Sequence, residues 1–166
     1  MNQRFAEVAF QARQRAGLTV EKAAELIGVS SRTVSYYESG RRVTDEIVAR
    51  MVLSYNAPSL GYYYLSNELE TGRLLLPQVI PAGVASKSIR LRVAMDCVRG
   101  LQEQLDNICL DDIIDDDERQ ALDANAGKYM ELAAACMGIR IMSASFAANE
   151  KDRSVWQQER SFRKKM

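Results

Sequence analysis

The sequence predicts an all-α protein in which five short helices form a first domain and an antiparallel helical hairpin follows it. Three observations carry the prediction. Residues suited to cap helices stand before stretches of helical apolar spacing, and glycines suited to end helices stand after them. The second half of the chain repeats apolar residues at alternating steps of three and four.

Phe5, Val8, Ala9 and Ala12 lie at helical spacing, which predicts a first packing helix over residues 3–16 that ends at Gly17. Thr19 is placed to cap a second helix with apolar positions Ala23, Ala24, Leu26 and Ile27, and Gly28 supplies the left-handed backbone that stops it. Ser30 caps a third helix at once, running from Ser31 to Ser39 and closed by Gly40. Ala24 is small where the two helices must touch, while the branched Val29 and Val34 fill the corner between them. This is helix-turn-helix patterning. The outer face of the third helix carries Ser31, Arg32, Ser35 and Tyr36, hydrogen-bonding side chains short enough to lie against base edges in a major groove. Thr19, Ser39, Arg41 and Arg42 are the candidate phosphate contacts.

Thr44 precedes a fourth helix with Asp45 and Glu46 in its first turn, where the helix dipole favours acids. Its apolar face is Ile47, Val48, Met51, Val52 and Tyr55. Asn56-Ala57-Pro58 breaks it, and Ser59 starts a fifth helix through Tyr62, Tyr63, Tyr64, Leu65 and Leu69. Three consecutive tyrosines suggest a stacking platform for single-stranded nucleic acid. Neighbouring helix positions diverge by about 100°, however, so core or interface roles are expected instead. The first domain is thus expected over residues 1–70. Residues 71–86, with Gly72, Pro77, Pro81 and Gly83, read as a connection, and Leu74, Leu75, Leu76, Val79 and Ile80 mark it as docked along a helix rather than free.

From Lys87 the helical period returns, with Leu91, Ala94, Val98, Leu101, Leu105 and Ile108 forming a heptad seam. The acidic run from Asp111 to Asp117 interrupts it, and Asp115 and Glu118 are spaced as a capping box for the next helix. That helix sets Leu122, Ala126, Met130, Ala133, Met137, Ile141 and Ala144 on one stripe, and Ala126, Ala133, Ala134 and Ala135 are small enough to admit a partner helix. Residues 87–147 therefore read as a hairpin. Two helices alone bury too little apolar surface to be stable, so self-association is expected through Leu91, Val98, Leu101, Leu105, Met130 and Met137. Residues 148–166 form a basic tail with Arg160, Arg163, Lys164 and Lys165.

The run LTVEKAAELIGVSSRTVSYYESG, from Leu18 to Gly40, resembles the characteristic sequence of the XRE family of helix-turn-helix regulators, related to the phage lambda and 434 repressors. The likeness covers residues 5–64. It implies a lambda-repressor-like domain whose third helix enters the major groove, and a pairing between an arginine of the first helix and the glutamate closing the third, here Arg13 and Glu38. One position departs from the family. Where a glutamine often opens the second helix this chain has Val20, which cannot hydrogen-bond, so phosphate anchoring there falls to Thr19 and the helix N-terminal amides. The wider order of the chain, with YNAP, GRLLLP and a hairpin with an acidic turn, is similar to regulators of bacterial prophages and other mobile elements.

Composition bounds the function. With 166 residues, 47% hydrophobic and 27% charged, the chain suits one or two globular domains. Its 22 basic and 22 acidic residues cancel, which weakens the case for DNA binding unless charge is segregated. Arg4, Arg13, Arg15, Lys22, Arg32, Arg41, Arg42 and Arg50, set against Asp106, Asp111, Asp112, Asp115, Asp116, Asp117 and Glu118, lead to the expectation of a basic first domain with modest, salt-sensitive non-specific affinity. Cys97, Cys109 and Cys136 lie in helical patterns without metal-ligand spacing, and the chain has no histidine, so they read as small buried hydrophobes in a cytoplasmic protein. No apolar run reaches the ~20 residues needed to span a bilayer. The acidic turn fails as a calcium loop, because Ile113 and Ile114 interrupt its ligands and no glycine follows. Without histidine, nucleophile elbow or phosphate-cradling glycine loop, neither an enzyme nor a cofactor or metal is expected.

The resulting expectation is a sequence-specific repressor in the bacterial cytoplasm, binding a pseudo-palindromic operator in double-stranded DNA as a homodimer or larger assembly. The alternative is an interaction module, an antitoxin or an adaptor that has lost DNA, with a protein partner at the hairpin. Val20 and the balanced charge favour that alternative.

Overall fold

The computed structural model describes residues 3–80, 83–108 and 113–143. Every regular element among them is helical: α1 (Gln3–Arg15), α2 (Val20–Ile27), α3 (Ser31–Glu38), α4 (Asp45–Tyr55), α5 (Pro58–Tyr63), α6 (Glu70–Leu75), α7 (Val84–Arg99), α8 (Gln102–Ile108) and α9 (Asp116–Ser143), with a π-helical turn over Tyr64–Glu68. The fold is all-α. Its helices form two units, divided between Leu74 and Leu75.

In the first unit α1 to α5 enclose one core. Phe5, Ala9 and Ala12 come from α1, Ala23, Ala24 and Ile27 from α2, Val34 from α3, and Val48, Met51 and Tyr55 from α4, with Val43, Leu60 and Tyr64 completing it. The alanines of α1 and α2 keep the helices close, while Ile27, Met51 and Leu60 fill the centre at about 1.5–3 kcal/mol of burial apiece. The Phe5 and Tyr64 rings meet edge-on with centroids 5.6 Å apart, so the last tyrosine of the triplet belongs to the core and Tyr62 and Tyr63 are half-buried beside it.

The caps show where local sequence suffices. Thr19 accepts from the Lys22 N–H at 3.2 Å and Ser30 from the Thr33 N–H at 3.1 Å, and Gly28 and Gly40 take the positive φ angles of 74° and 98° that end α2 and follow α3. Thr44 differs from the expectation: it has the extended backbone of a cap, but its hydroxyl accepts no capping bond, leaving the α4 N-terminus to Asp45 and Glu46. α5 starts at Pro58 rather than Ser59, because the first helical position needs no N–H.

The fifth helix does not continue regularly to Leu69. Ser66 donates to the Tyr62 carbonyl at 2.8 Å and Asn67 to the Tyr63 carbonyl at 3.1 Å, polar side chains competing for the backbone where it widens into the π-helical turn. α6 then occupies residues expected to be connection. Gly72, read as a linker glycine, is a close-approach residue, since a β-carbon there would lie 1.7 Å from the Leu65 carbonyl oxygen. At the other end of that stretch α7 already begins at Val84, three residues before the expected Lys87.

In the second unit α7 and α9 run antiparallel. Lys87 Nζ, near the start of α7, donates to the Gly138 carbonyl late in α9 at 3.3 Å, and Asn125 donates to Gln104 of α8 at 3.2 Å. The expected continuous heptad helix breaks at Gly100, yet its phase survives: Leu91, Val98, Leu101 and Leu105 are half-buried, and Ala94 and Ile108 are buried. α9 keeps only part of the expected stripe, with Leu122, Met137 and Ile141 half-buried. Leu122, Asn125, Tyr129, Leu132 and Ala135 are half-buried and Gly138 is buried, whereas Ala126, Met130 and Ala133 are exposed. Asn125, a polar residue on the covered side, donates to Gln104 of α8 and to the Ala121 carbonyl of its own helix. Val79 lies 3.7 Å from where a Gly138 β-carbon would stand, which lays the connection along α9.

Asp115 and Glu118 cap α9 reciprocally, each accepting from the other's N–H, at 2.8 and 3.1 Å. Cys97 and Cys136 are exposed, against the expectation of burial, because in a two-layer hairpin each helix has only one covered face. Cys109, Asp111, Asp112, Ala144 and residues 148–166 lie outside the described residues. No described helix is long and apolar enough to cross a membrane.

Gly72→Ala is expected to lower stability by about 2 kcal/mol or more, since the new methyl meets backbone that cannot rotate away. Gly127→Ala, exposed in α9 with nothing within 4 Å of the added carbon, is expected to raise it by about 0.5–1 kcal/mol. Urea unfolding of both variants checks the contrast, and equal midpoints would refute it.

Candidate nucleic-acid interface

α2 and α3 are joined by Gly28, Val29 and Ser30, with Gly28 and Val29 both donating their N–H to the Ala24 carbonyl, at 2.9 and 3.0 Å. Ala24 is buried at the contact, Val34 is buried beneath α3, and Val29 packs against the same core. The end of α2 gains a further anchor that the sequence reading missed: Arg50 of α4 donates to the Ile27 carbonyl at 3.1 Å and to Glu46 at 2.5 Å. The second bond follows from the spacing of four residues on one helix; the first does not.

One guanidinium fastens the other end of α3. Arg13 Nε donates to Glu38 Oε1 at 2.6 Å, Nη2 donates to Oε2 at 2.9 Å, and Nη1 donates to the Leu18 carbonyl at 2.8 Å. The two side chains are only 6% and 11% exposed, so this is a buried, two-pronged ion pair. The hydrogen bond to Glu38 holds the Arg13 pKa above its ordinary value. Nearby, the buried Tyr55 hydroxyl has no hydrogen-bond partner among the described residues, and its pKa is pushed up to about 12, first by burial and then by the Glu38 charge.

With both ends of α3 fixed, Arg32, Ser35 and Tyr36 stand exposed on its outer side and Ser31 is half-buried at its start. The Arg32 side chain does not extend freely: its Nε donates to the Tyr36 hydroxyl at 2.5 Å, with the guanidinium 5.3 Å from the ring centroid. Arg41 stacks on the same ring at 5.8 Å. Ser35 donates to the Ser31 carbonyl and Ser39 to the Ser35 carbonyl, at 3.2 and 2.7 Å, so both hydroxyls are left mainly as acceptors.

This divides the candidate phosphate contacts. A phosphate needs donors, but the Ser39 hydroxyl proton is committed to the Ser35 carbonyl and the Thr19 hydroxyl already accepts the Lys22 N–H as a helix cap. The Glu21 carboxylate is held below its usual range, first by its own backbone N–H and then by the Thr19 hydroxyl. An acid thus competes for the amides at the start of α2. Arg41 and Arg42, both exposed, remain the direct cationic donors. The expected basic lean of this region is absent overall: residues 1–70 carry eight basic and eight acidic side chains, and any excess is local.

Residues 4–59 match a family model described as a helix-turn-helix domain, a span running from α1 into α5. No curated protein and no solved structure matches the chain. Geometry and family match agree that this segment is a helix-turn-helix, a domain type that binds DNA.

Arg13→Met, which leaves the Glu38 carboxylate buried without its partner, is expected to destabilise the first unit by about 3–5 kcal/mol. Replacing both, as Arg13→Met with Glu38→Leu, is expected to recover most of that loss. Thermal unfolding of the two variants tests the pairing, and a double variant no more stable than the single one would contradict it.

Proposed function

We propose that this helix-turn-helix domain belongs to the XRE type and that the chain is a sequence-specific transcriptional regulator, a repressor that blocks a promoter by occupying a pseudo-palindromic operator. The observation that carries the reading is α3 itself: a short helix pinned at both ends, with Arg32, Ser35 and Tyr36 exposed along one side where base edges would lie. Arg41 and Arg42 follow as phosphate contacts. The protein acts by binding rather than by catalysis, in the bacterial cytoplasm where such operators are found.

Selection of bound sequences from a random DNA pool tests this. A two-fold site is expected, with half-sites about 34 Å apart. Arg32→Ala is expected to relax base preference at one position of each half-site by about 1–3 kcal/mol, whereas Arg41→Ala or Arg42→Ala weakens binding to every sequence and lowers the salt dependence by about one counterion. A specificity ratio untouched by Arg32→Ala would show that another side chain reads the bases.

The operator symmetry requires a dimer, and the second unit is the proposed place for it. Ile89, Val93 and Met95 on α7 and Met130 on α9 are large, apolar and exposed, whereas the expected seam of Leu91, Val98, Leu101 and Leu105 is already half-buried within the chain. Met137 is half-buried as well. Val93→Asp is expected to separate the subunits without unfolding them, because 54% of that side chain's residue surface is exposed. Sedimentation of the full chain checks this: a wild-type monomer at micromolar concentration would dismiss the dimer, and a Val93→Asp dimer would move the interface elsewhere.

The balanced charge of residues 1–70 favours a second reading, in which the hairpin binds a protein such as a toxin and DNA contact is secondary or lost. Failure of the DNA selection together with a stable heteromeric complex would favour it.

A further inference from the structure

Arg32 and Tyr36 stand one turn apart on α3, joined by the hydrogen bond from Arg32 Nε to the Tyr36 hydroxyl. A guanidinium can grip a pair of acceptors along either of two edges: Nε with one terminal nitrogen, or the two terminal nitrogens together. Donation to the tyrosine removes the first edge. The two terminal nitrogens donate to no described residue, and the side chain is exposed. Arg41 lies over the same ring from beyond the helix end, at 5.8 Å.

We infer that Tyr36 is a positioning residue for Arg32, and that the base Arg32 meets is guanine. The inference rests on the operator-binding reading above and names one element of the operator. Held at Nε, the guanidinium presents its terminal nitrogens end-on, and two adjacent acceptors are what it requires. Guanine offers O6 and N7 side by side in the major groove. Adenine sets a donor amino group beside N7, and thymine sets a methyl group beside its single acceptor, so neither satisfies both nitrogens. The tyrosine also removes rotamers that the long arginine side chain would otherwise lose only on binding.

Tyr36→Phe is the direct test, because it keeps the ring and both arginine stacks and deletes only the hydroxyl. The full chain is used throughout, with DNA first selected from a random pool by the wild type. Each half-site is expected to contain a guanine whose replacement by adenine or 7-deazaguanine weakens wild-type binding, while Arg32→Ala is indifferent to both replacements. Tyr36→Phe is expected to bind the same site with its guanine-over-adenine ratio reduced about three- to tenfold. A Tyr36→Phe ratio equal to that of the wild type overturns the positioning role. A guanine preference that survives Arg32→Ala overturns the assignment of the base to Arg32. A wild type that enriches no sequence at all overturns the operator-binding reading, a different failure from the other two.

Discussion

The guanidinium of Arg13 is the constraint on which the first unit depends. It is one group with three tasks: two of its nitrogens hold the end of α3 through Glu38, the third holds the turn into α2 through the Leu18 carbonyl, and its own backbone belongs to α1. An isolated helix of eight residues is not stable in water, so α3 exists only because its ends and its inner face are held by the rest of the unit. Ser30 secures the first end by a local bond, and Arg13 secures the second from 25 residues away. Burying this pair is not an efficient source of stability, since well-packed apolar residues would do as much. What the pair adds is direction. A two-pronged bond fixes the angle of α3 on α1 in a way that the non-directional packing of Val34 does not.

The same pairing rearranges the charge that meets solvent. Residues 1–70 are neutral in sum, yet Arg13, Lys22 and Arg50 are each matched by a glutamate within the unit, Glu38, Glu25 and Glu46 respectively. Five arginines of that stretch have no such carboxylate partner among the described residues: Arg4 and Arg15 on α1, and Arg32, Arg41 and Arg42, which lie along or just beyond α3. A neutral domain thereby acquires a local positive edge where the candidate base-reading side chains are. Its field is short-ranged, because the unit is neutral in sum and acids such as Glu68, which feels the charge of Arg42, offset it, and this suits contact-dependent recognition better than long-range attraction to any polyanion.

Legibility in the sequence followed the range of the interaction. The caps at Thr19 and Ser30, the reciprocal cap of Asp115 and Glu118, and the glycines at 28 and 40 depend on residues within four positions, and they could be read directly. Gly72 was misread because its reason is a carbonyl seven residues back, reached only once the π-helical turn has brought it close. The inward face of α9 was only partly legible for another reason: alanines and methionines surround the helix, so several stripes have similar apolar content, and contacts distant in sequence, such as that of Asn125 with Gln104, 21 residues apart, are not visible in the spacing. In the candidate site the exposed side of α3 was legible, but the state of its side chains was not. Arg32 and Tyr36 stand at a spacing that allows contact, yet only three dimensions show which guanidinium edge the contact consumes.

The two units place complementary demands on self-association. The first presents in α3 a candidate recognition helix of eight residues with three arginines nearby that lack a carboxylate partner among the described residues, few contacts for holding one short site at physiological salt. The second is a two-layer hairpin whose outer surfaces keep Ile89, Val93 and Met95 in water, an arrangement that gains from a further apolar layer. The proposed pairing of two chains through the hairpin would meet both. It removes apolar surface from water, and it converts the second half-site contact into an intramolecular event whose effective concentration is on the order of millimolar, so two weak readers act as one strong one. That gain exists only if the spacing of the two α3 helices matches the operator, and the symmetry of the assembly then becomes part of how the sequence is read.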